Sequence, residues 1–316
     1  MRIGLMIGPE KGHRPDKIGR LLAAAEAAER EGFASIWVPQ VPNDFDALTA
    51  IALIGQATSR IELGTAVMPI QTRHPVAMAQ QALSTQAVCE GRLTLGLGPS
   101  HHWIVEDMLG LSYDRPARQV RAYLEALQPA LRAPGMVDVE NDVWRVHNEI
   151  DITEINTPVL LAALAPVMLR IAGEMASGTI LWMADERAIS DHVVPRITKA
   201  AAGAGRSEPR VVAGIPVALC RNEEVDEARA RANIVLGHAE YSPNYQRLLE
   251  HGDATDVGDT LAGGDEQAIT ARIARFRDAG VTDLSVRVLP LGTNREERLA
   301  SWARTEQFVA SLTTSF

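Results

Sequence analysis

Residues 61–98 read IELGTAVMPIQTRHPVAMAQQALSTQAVCEGRLTLGLG. Ile61 to Val67 is a short apolar run of the kind that is buried on both faces, and Leu93 to Leu97 is another. Between them Val76, Ala79, Leu83 and Ala87 recur at helical spacing. Pro75 stands at the first helical turn, where its missing N–H costs nothing. A strand, a covering helix and a second strand form the repeating unit of a parallel sheet.

The same alternation continues in both directions. Upstream, Ile3 to Ile7 reads as the first strand. A helix carrying Ile18, Leu21, Leu22, Ala25 and Ala28 follows and ends at Gly32, then come a strand at Ser35 to Pro39 and a helix from Asp46 to Thr58. Downstream, Arg115 to Leu131 is a helix, Val159 to Ala163 the fifth strand, and Pro166 opens a helix to about Ala176. Thr179 to Trp182 is the sixth strand, Ala188 to Ala202 a helix and Val211 to Leu219 the seventh strand. A helix aligning Ile269, Ile273 and Phe276 precedes the eighth strand, Asp283 to Leu289. Eight strands alternating with helices predict an α/β chain folded as a single (β/α)8 TIM barrel, one domain over residues 1–316. Two stretches stand outside the repeat: Met136 to Asn156, read as a small strand pair before strand five, and Asn233 to Gly264, a polar, glycine-rich insertion before strand eight.

Composition narrows the function. A formal charge of −9 disfavours nucleic acid and anionic membrane as partners and favours a small-molecule substrate. Two cysteines, Cys89 and Cys220, are too few for a disulfide framework or a thiolate metal site, and no zinc spacing is present, so no metal is expected. The apolar start is too short for a signal peptide or a membrane span, which points to the cytoplasm.

In a (β/α)8 barrel the chemistry gathers at the carboxyl ends of the strands. There, Gly96-Leu-Gly98 alone reads as a tight turn. Followed by Pro99, Ser100 and His101 it becomes a candidate cofactor loop, because small residues admit a flat ring and Ser100 can donate a hydrogen bond. His101 and His102 are by default exposed loop residues, yet histidine is the side chain best suited to supplying a proton near neutrality. Trp103 and Trp182 fit either packing or the walls of a substrate pocket. The amides after Ala163, Leu164 and Ala165, at the start of the fifth helix, suit an anion. Arg287 fits an ion pair or a substrate anion, and Asp185-Glu186 and Asn222 to Glu227 read as solvated faces or helix starts.

Gly91-Arg-Leu-Thr-Leu-Gly-Leu-Gly98, preceded by Arg73-His-Pro75, resembles the luciferase-like flavin monooxygenases and their F420-dependent relatives. Gly98-Pro-Ser-His-His102, Glu106-Asp-Met-Leu-Gly-Leu-Ser-Tyr-Asp-Arg-Pro116, Ala162-Ala-Leu-Ala-Pro-Val-Met-Leu-Arg-Ile-Ala-Gly-Glu174 and Gly178-Thr-Ile-Leu-Trp-Met183 are similar to the F420-dependent branch. The resemblance implies F420 as cofactor, with FMN as the alternative. It also implies a non-prolyl cis peptide at Ala66–Val67 behind the tricyclic ring, Gly98, Ser100 and Ala163 to Ala165 around the cofactor, Gly178 in its wall, and a homodimer through the second and third helices. Where sugar-phosphate dehydrogenases of this branch carry Asp-His after strand two, this chain has Pro39-Gln-Val-Pro42. Gln40 can orient a ligand but cannot act as a base. The lysine with which those enzymes hold phosphate falls near Asp185. These departures disfavour alcohol oxidation and sugar phosphates, and favour hydride transfer to an activated C=C or C=N bond with His101 as proton donor. An FMN-dependent monooxygenase and a non-catalytic F420 or flavin binder are the rival readings.

Overall fold

A computed structural model describes residues 1–8, 16–152, 155–237 and 242–316. Eight parallel strands form the barrel: β1 (Arg2–Met6), β2 (Ser35–Val38), β3 (Glu62–Thr65), β5 (Leu93–Gly98), β8 (Val159–Leu161), β9 (Gly178–Trp182), β10 (Arg210–Leu219) and β12 (Asp283–Val288). They pair in chain order, and pairing of β12 with both β1 and β10 closes the cylinder. The expected (β/α)8 barrel is therefore the observed fold. Beyond Ala66 and Val67, a two-residue strand β4 (Met68–Pro69) resumes pairing with β5. The helices are α1 (Lys17–Arg30), α2 (Ala47–Ala57), α3 (Pro75–Val88), α4 (Pro116–Ala130), α5 (Pro166–Met175), α6 (Val194–Gly203), α7 (Val225–Leu236), α8 (Pro243–Leu249), α9 (Glu266–Asp278) and α10 (Arg295–Leu312).

The strands alternate as a pleat requires. Ile3, Leu5, Ile36, Leu63, Leu93, Leu95, Leu161, Leu181, Ile215, Leu284 and Val286 face the helices in one large core. The interior holds a separate cluster of Trp37, Leu160, Ile180 and Val212. Glycine at position 64 makes this possible, because a Cβ there would lie 2.3 Å from the Trp37 ring. At the amino end of the strands the barrel is plugged by charge. Arg210 reaches Glu62 and Asp283 at 2.9 Å each, Arg2 reaches Glu62 at 2.7 Å and also pairs with Asp283, and Thr94 donates to Glu62 at 2.7 Å. Burial by itself would raise the Asp283 pKa. The Arg210 guanidinium, the Thr282 hydroxyl and Arg2 outweigh it and hold the carboxyl below its usual range.

The expected strand pair is an antiparallel hairpin, β6 (Gly135–Glu140) with β7 (Arg145–Ile150). Residues 153–154 of that stretch and 238–241 of the Asn233 to Gly264 insertion lie outside the described residues. The insertion is more ordered than its polarity suggests: it contains α8, a 3-10 turn at Gly258–Thr260, and β11 (Ala262–Gly264), which extends the sheet beside β10. The helix expected from Ala188 begins as a π-turn, Ala188–Val193, and becomes α6 only at Val194. Pro195 lacks the N–H that a regular α-helical ladder needs there. α10 follows strand eight behind a capping box of Asn294 and Glu297. Among the described residues no helix is long and apolar enough to cross a membrane.

Candidate active site

At the carboxyl end of the barrel the inward positions carry small side chains. Ala66, Val67 and Ala162 lie on the interior cluster around Trp37. Gly98 stands between them: a Cβ there would be 2.9 Å from Val67 Cγ2 and 3.0 Å from Ala162 Cβ. The result is a flat, apolar floor. The expected non-prolyl cis peptide joins Ala66 to Val67. This end of β3 is pinned from both sides, since the Ala66 amide donates to the Val38 carbonyl at 2.9 Å. Thr65 Oγ1 donates to the Gly96 carbonyl at 2.7 Å and accepts from the Gly96 amide at 2.8 Å. Trp182 lies across Gly214, where a Cβ would come within 2.6 Å of its ring, so it forms part of the barrel throat.

The loop after β5 turns at Ser100, whose φ of 59° is left-handed. Gln71 donates to the Pro99 carbonyl at 2.8 Å and the Tyr113 hydroxyl to the Ser100 carbonyl at 3.1 Å, fixing the turn. His101 then lies between two aromatic rings, Trp103 at 5.7 Å and Tyr245 of α8 at 5.8 Å, with interplanar angles of 26° and 24°. Burial pushes the His101 pKa down, and neighbouring His102 adds to the effect, so the ring favours its neutral form. Burial pushes the Tyr245 phenol up. The Trp103 indole nitrogen is buried without a partner among the described residues.

Gln40 sits beyond β2 with its Oε1 accepting from the Ala47 amide at 2.7 Å. Its oxygen therefore closes the start of α2. After β8, Ala163 is buried and Ala165 caps α5 without a side-chain bond, leaving the first-turn amides of that helix outward. The Leu164 carbonyl accepts from His192 Nε2 at 2.8 Å.

One expectation is corrected. Gly178 opens β9 at its amino end, paired with Arg210, and a Cβ on it would fall 2.0 Å from the Arg210 carbonyl oxygen. It serves close strand approach at the plugged end, away from the apolar floor. Of the two readings of Asp185, the helix start holds: it is 5% exposed, and its oxygens accept from the amides of Ala188, Asp253 and Ala254 at 2.6–2.7 Å. One carboxylate thus starts a helix and grips the insertion. Arg287 of β12 donates to the Gly8 carbonyl.

Tyr245 and His192 were not singled out from sequence. The run Ser242-Pro243 before Tyr245 carries a first-turn proline signal, which could have marked α8. His192 has no comparable mark. A cleft of about 560 Å³ also lies on the flank, lined by Asp185, Glu186, Arg229, Asp259, Arg272 and Asp278. Its charges largely pair internally, as in Arg272 with Glu186 at 3.3 Å, and it does not include the apolar floor.

The family described as luciferase-like monooxygenase matches residues 1–283. The chain is similar to the 5,10-methylenetetrahydromethanopterin reductase of Methanolobus tindarius, 24% identical over 311 residues that cover 90% of this chain and 94% of the relative. Among solved structures it resembles the coenzyme F420 dependent tetrahydromethanopterin reductase from Methanopyrus kandleri, with a TM-score of 0.74, 22% identity and coverage of 99% and 98%. It also resembles the oxygenating constituent of 3,6-diketocamphane monooxygenase of Pseudomonas putida, in complex with FMN, with a TM-score of 0.74, 17% identity and coverage of 98% and 96%.

Proposed function

Since the chain belongs to the luciferase-like monooxygenase family, we propose that it is an F420-dependent oxidoreductase reducing an activated C=C or C=N bond of a small organic substrate. The observation that carries the reading is the flat apolar floor of Ala66, Val67, Gly98 and Ala162 at the barrel mouth, in a chain similar over 90% of its length to a methylenetetrahydromethanopterin reductase. A floor without projecting side chains suits a planar ring system, and the first turn of α5 suits the anionic tail of such a cofactor.

When bound, F420 supplies or accepts the hydride. The protein holds and orients. Ala66, Val67 and Gly98 back the ring, Ser100 presents its backbone turn to the ring edge, and Ala163, Leu164 and Ala165 lead into the outward amides of α5. Gln40, its oxygen engaged by Ala47, has its amide nitrogen to orient ring or substrate. His101, half enclosed by Trp103 and Tyr245, is the proton source, and Trp103 and Trp182 form the substrate walls.

Titration of the purified protein with F420 and with FMN tests the cofactor. Following reduced F420 against enones, imines and oxygen tests the reaction. Micromolar binding of FMN with no binding of F420 would overturn the proposal in favour of the monooxygenase reading. F420 binding without turnover of any acceptor would favour a binding protein.

A further inference from the structure

His192, on the π-turn after β9, is 2% exposed. Its Nε2 lies 2.8 Å from the Leu164 carbonyl. A carbonyl only accepts, so Nε2 carries the proton and Nδ1 is a bare acceptor, buried and without a partner among the described residues. The ring also stacks on His251 of the insertion, with centroids 3.9 Å apart and planes 15° from parallel. One side chain therefore touches the turn that opens α5 and the segment that reaches His101 through Tyr245.

Building on the F420 reading, we propose that His192 is a positioning residue, whose neutral Nε2–H form clasps the Leu164 carbonyl and the His251 ring so that the Ala163 to Ala165 turn and the insertion are held as one unit. The charged groups around it supply no substitute arrangement. Arg196, one turn on, donates to the His192 carbonyl at 2.8 Å. Asp191 and Asp253 both face Arg187, at 3.6 and 2.8 Å. The Asp185 carboxylate is taken by backbone amides. A second proton on His192 would sit on Nδ1 with no acceptor among the described residues, and its charge would lie against the face of a second imidazole. Burial holds the His192 pKa below its ordinary value, outweighing the Leu164 bond, and His251 and Arg196 push the same way. A base with a lowered folded value is fully held above its unfolded value of about 6.5 and weakens as pH falls through the folded one. The clasp is thus closed on the alkaline side and opens in mild acid.

Nitrogen-15 shifts of the histidine rings in the cofactor-free protein test the tautomer directly. His192 is expected protonated at Nε2 well above the ordinary histidine value, and an Nδ1–H form would overturn the proposal. In F420 fluorescence titrations near neutrality, His192→Phe is expected to weaken binding about tenfold, the effect of one lost hydrogen bond. His192→Gln, with an amide donor in place of Nε2–H, is expected to restore it to within about threefold. His251→Ala changes an exposed residue. Its affinity ratio to wild type, in which the cofactor's own ionisation cancels, should be about threefold on the alkaline side and near one in acid. Wild-type affinity in His192→Phe, or a pH-independent ratio for His251→Ala, would overturn the clasp. A wild type that binds no F420 sinks the cofactor reading instead, and the ring-nitrogen shifts still judge the clasp.

Discussion

Gly98 has no side chain, and that lets Val67 and Ala162 meet across the barrel mouth. Gly98→Val would push branched methyl groups into contacts already at 2.9 and 3.0 Å. The expected cost is about 1–3 kcal/mol of stability, read as a lower urea midpoint, with loss of F420 binding beyond that change. At His101 the prediction concerns rate. If the imidazole supplies the proton, His101→Gln lowers kcat by about 10²-fold or more while F420 affinity changes little. Because burial and His102 lower its pKa, the protonated fraction grows only as pH falls below about 6.5. The wild-type kcat/KM should therefore rise on acidification across that window, and the slope should be absent in His101→Gln.

The insertion before strand eight shows what an element-level reading can and cannot supply. Asp185 fastens it through two backbone amides, so Asp185→Asn, which removes a charge and an acceptor, should release the segment containing α8. We expect faster proteolytic cleavage within residues 242–264 and a loss of about 1–3 kcal/mol, with the barrel still folded by circular dichroism. Strands and helices were legible because each writes its own period into contiguous sequence. Ile61 to Val67 and Leu93 to Leu97 fall within two residues of the observed strand ends. The insertion carries no such period, so Tyr245 could not be matched to His101, more than a hundred positions away. Gly178 was misplaced for a related reason: the family motif names a glycine, while strand direction decides which end of the barrel it occupies. His192 was hidden by the regular helix expected over it, which gave no hint of a π-turn.

Across the whole molecule the two barrel ends differ in chemistry. One is plugged by Arg2, Glu62, Arg210 and Asp283, the other floored by alanine, valine and glycine. Asp283→Asn removes a buried charge from beneath two guanidiniums and should cost about 3–5 kcal/mol in a urea melt, with F420 affinity of the remaining folded protein little altered. The sign with pH follows from its lowered folded value. The Asp283 contribution is complete above the ordinary carboxylate value of about 3.9 and is lost as pH falls through the folded one, so the variant should lack that part of the wild-type acid-side loss of stability. Trp182 draped over Gly214 has an optical consequence. An indole in the barrel throat is placed to hand its excitation to a chromophore seated above it, so quenching of tryptophan emission, smaller in Trp182→Phe, would report occupancy of the mouth without any label.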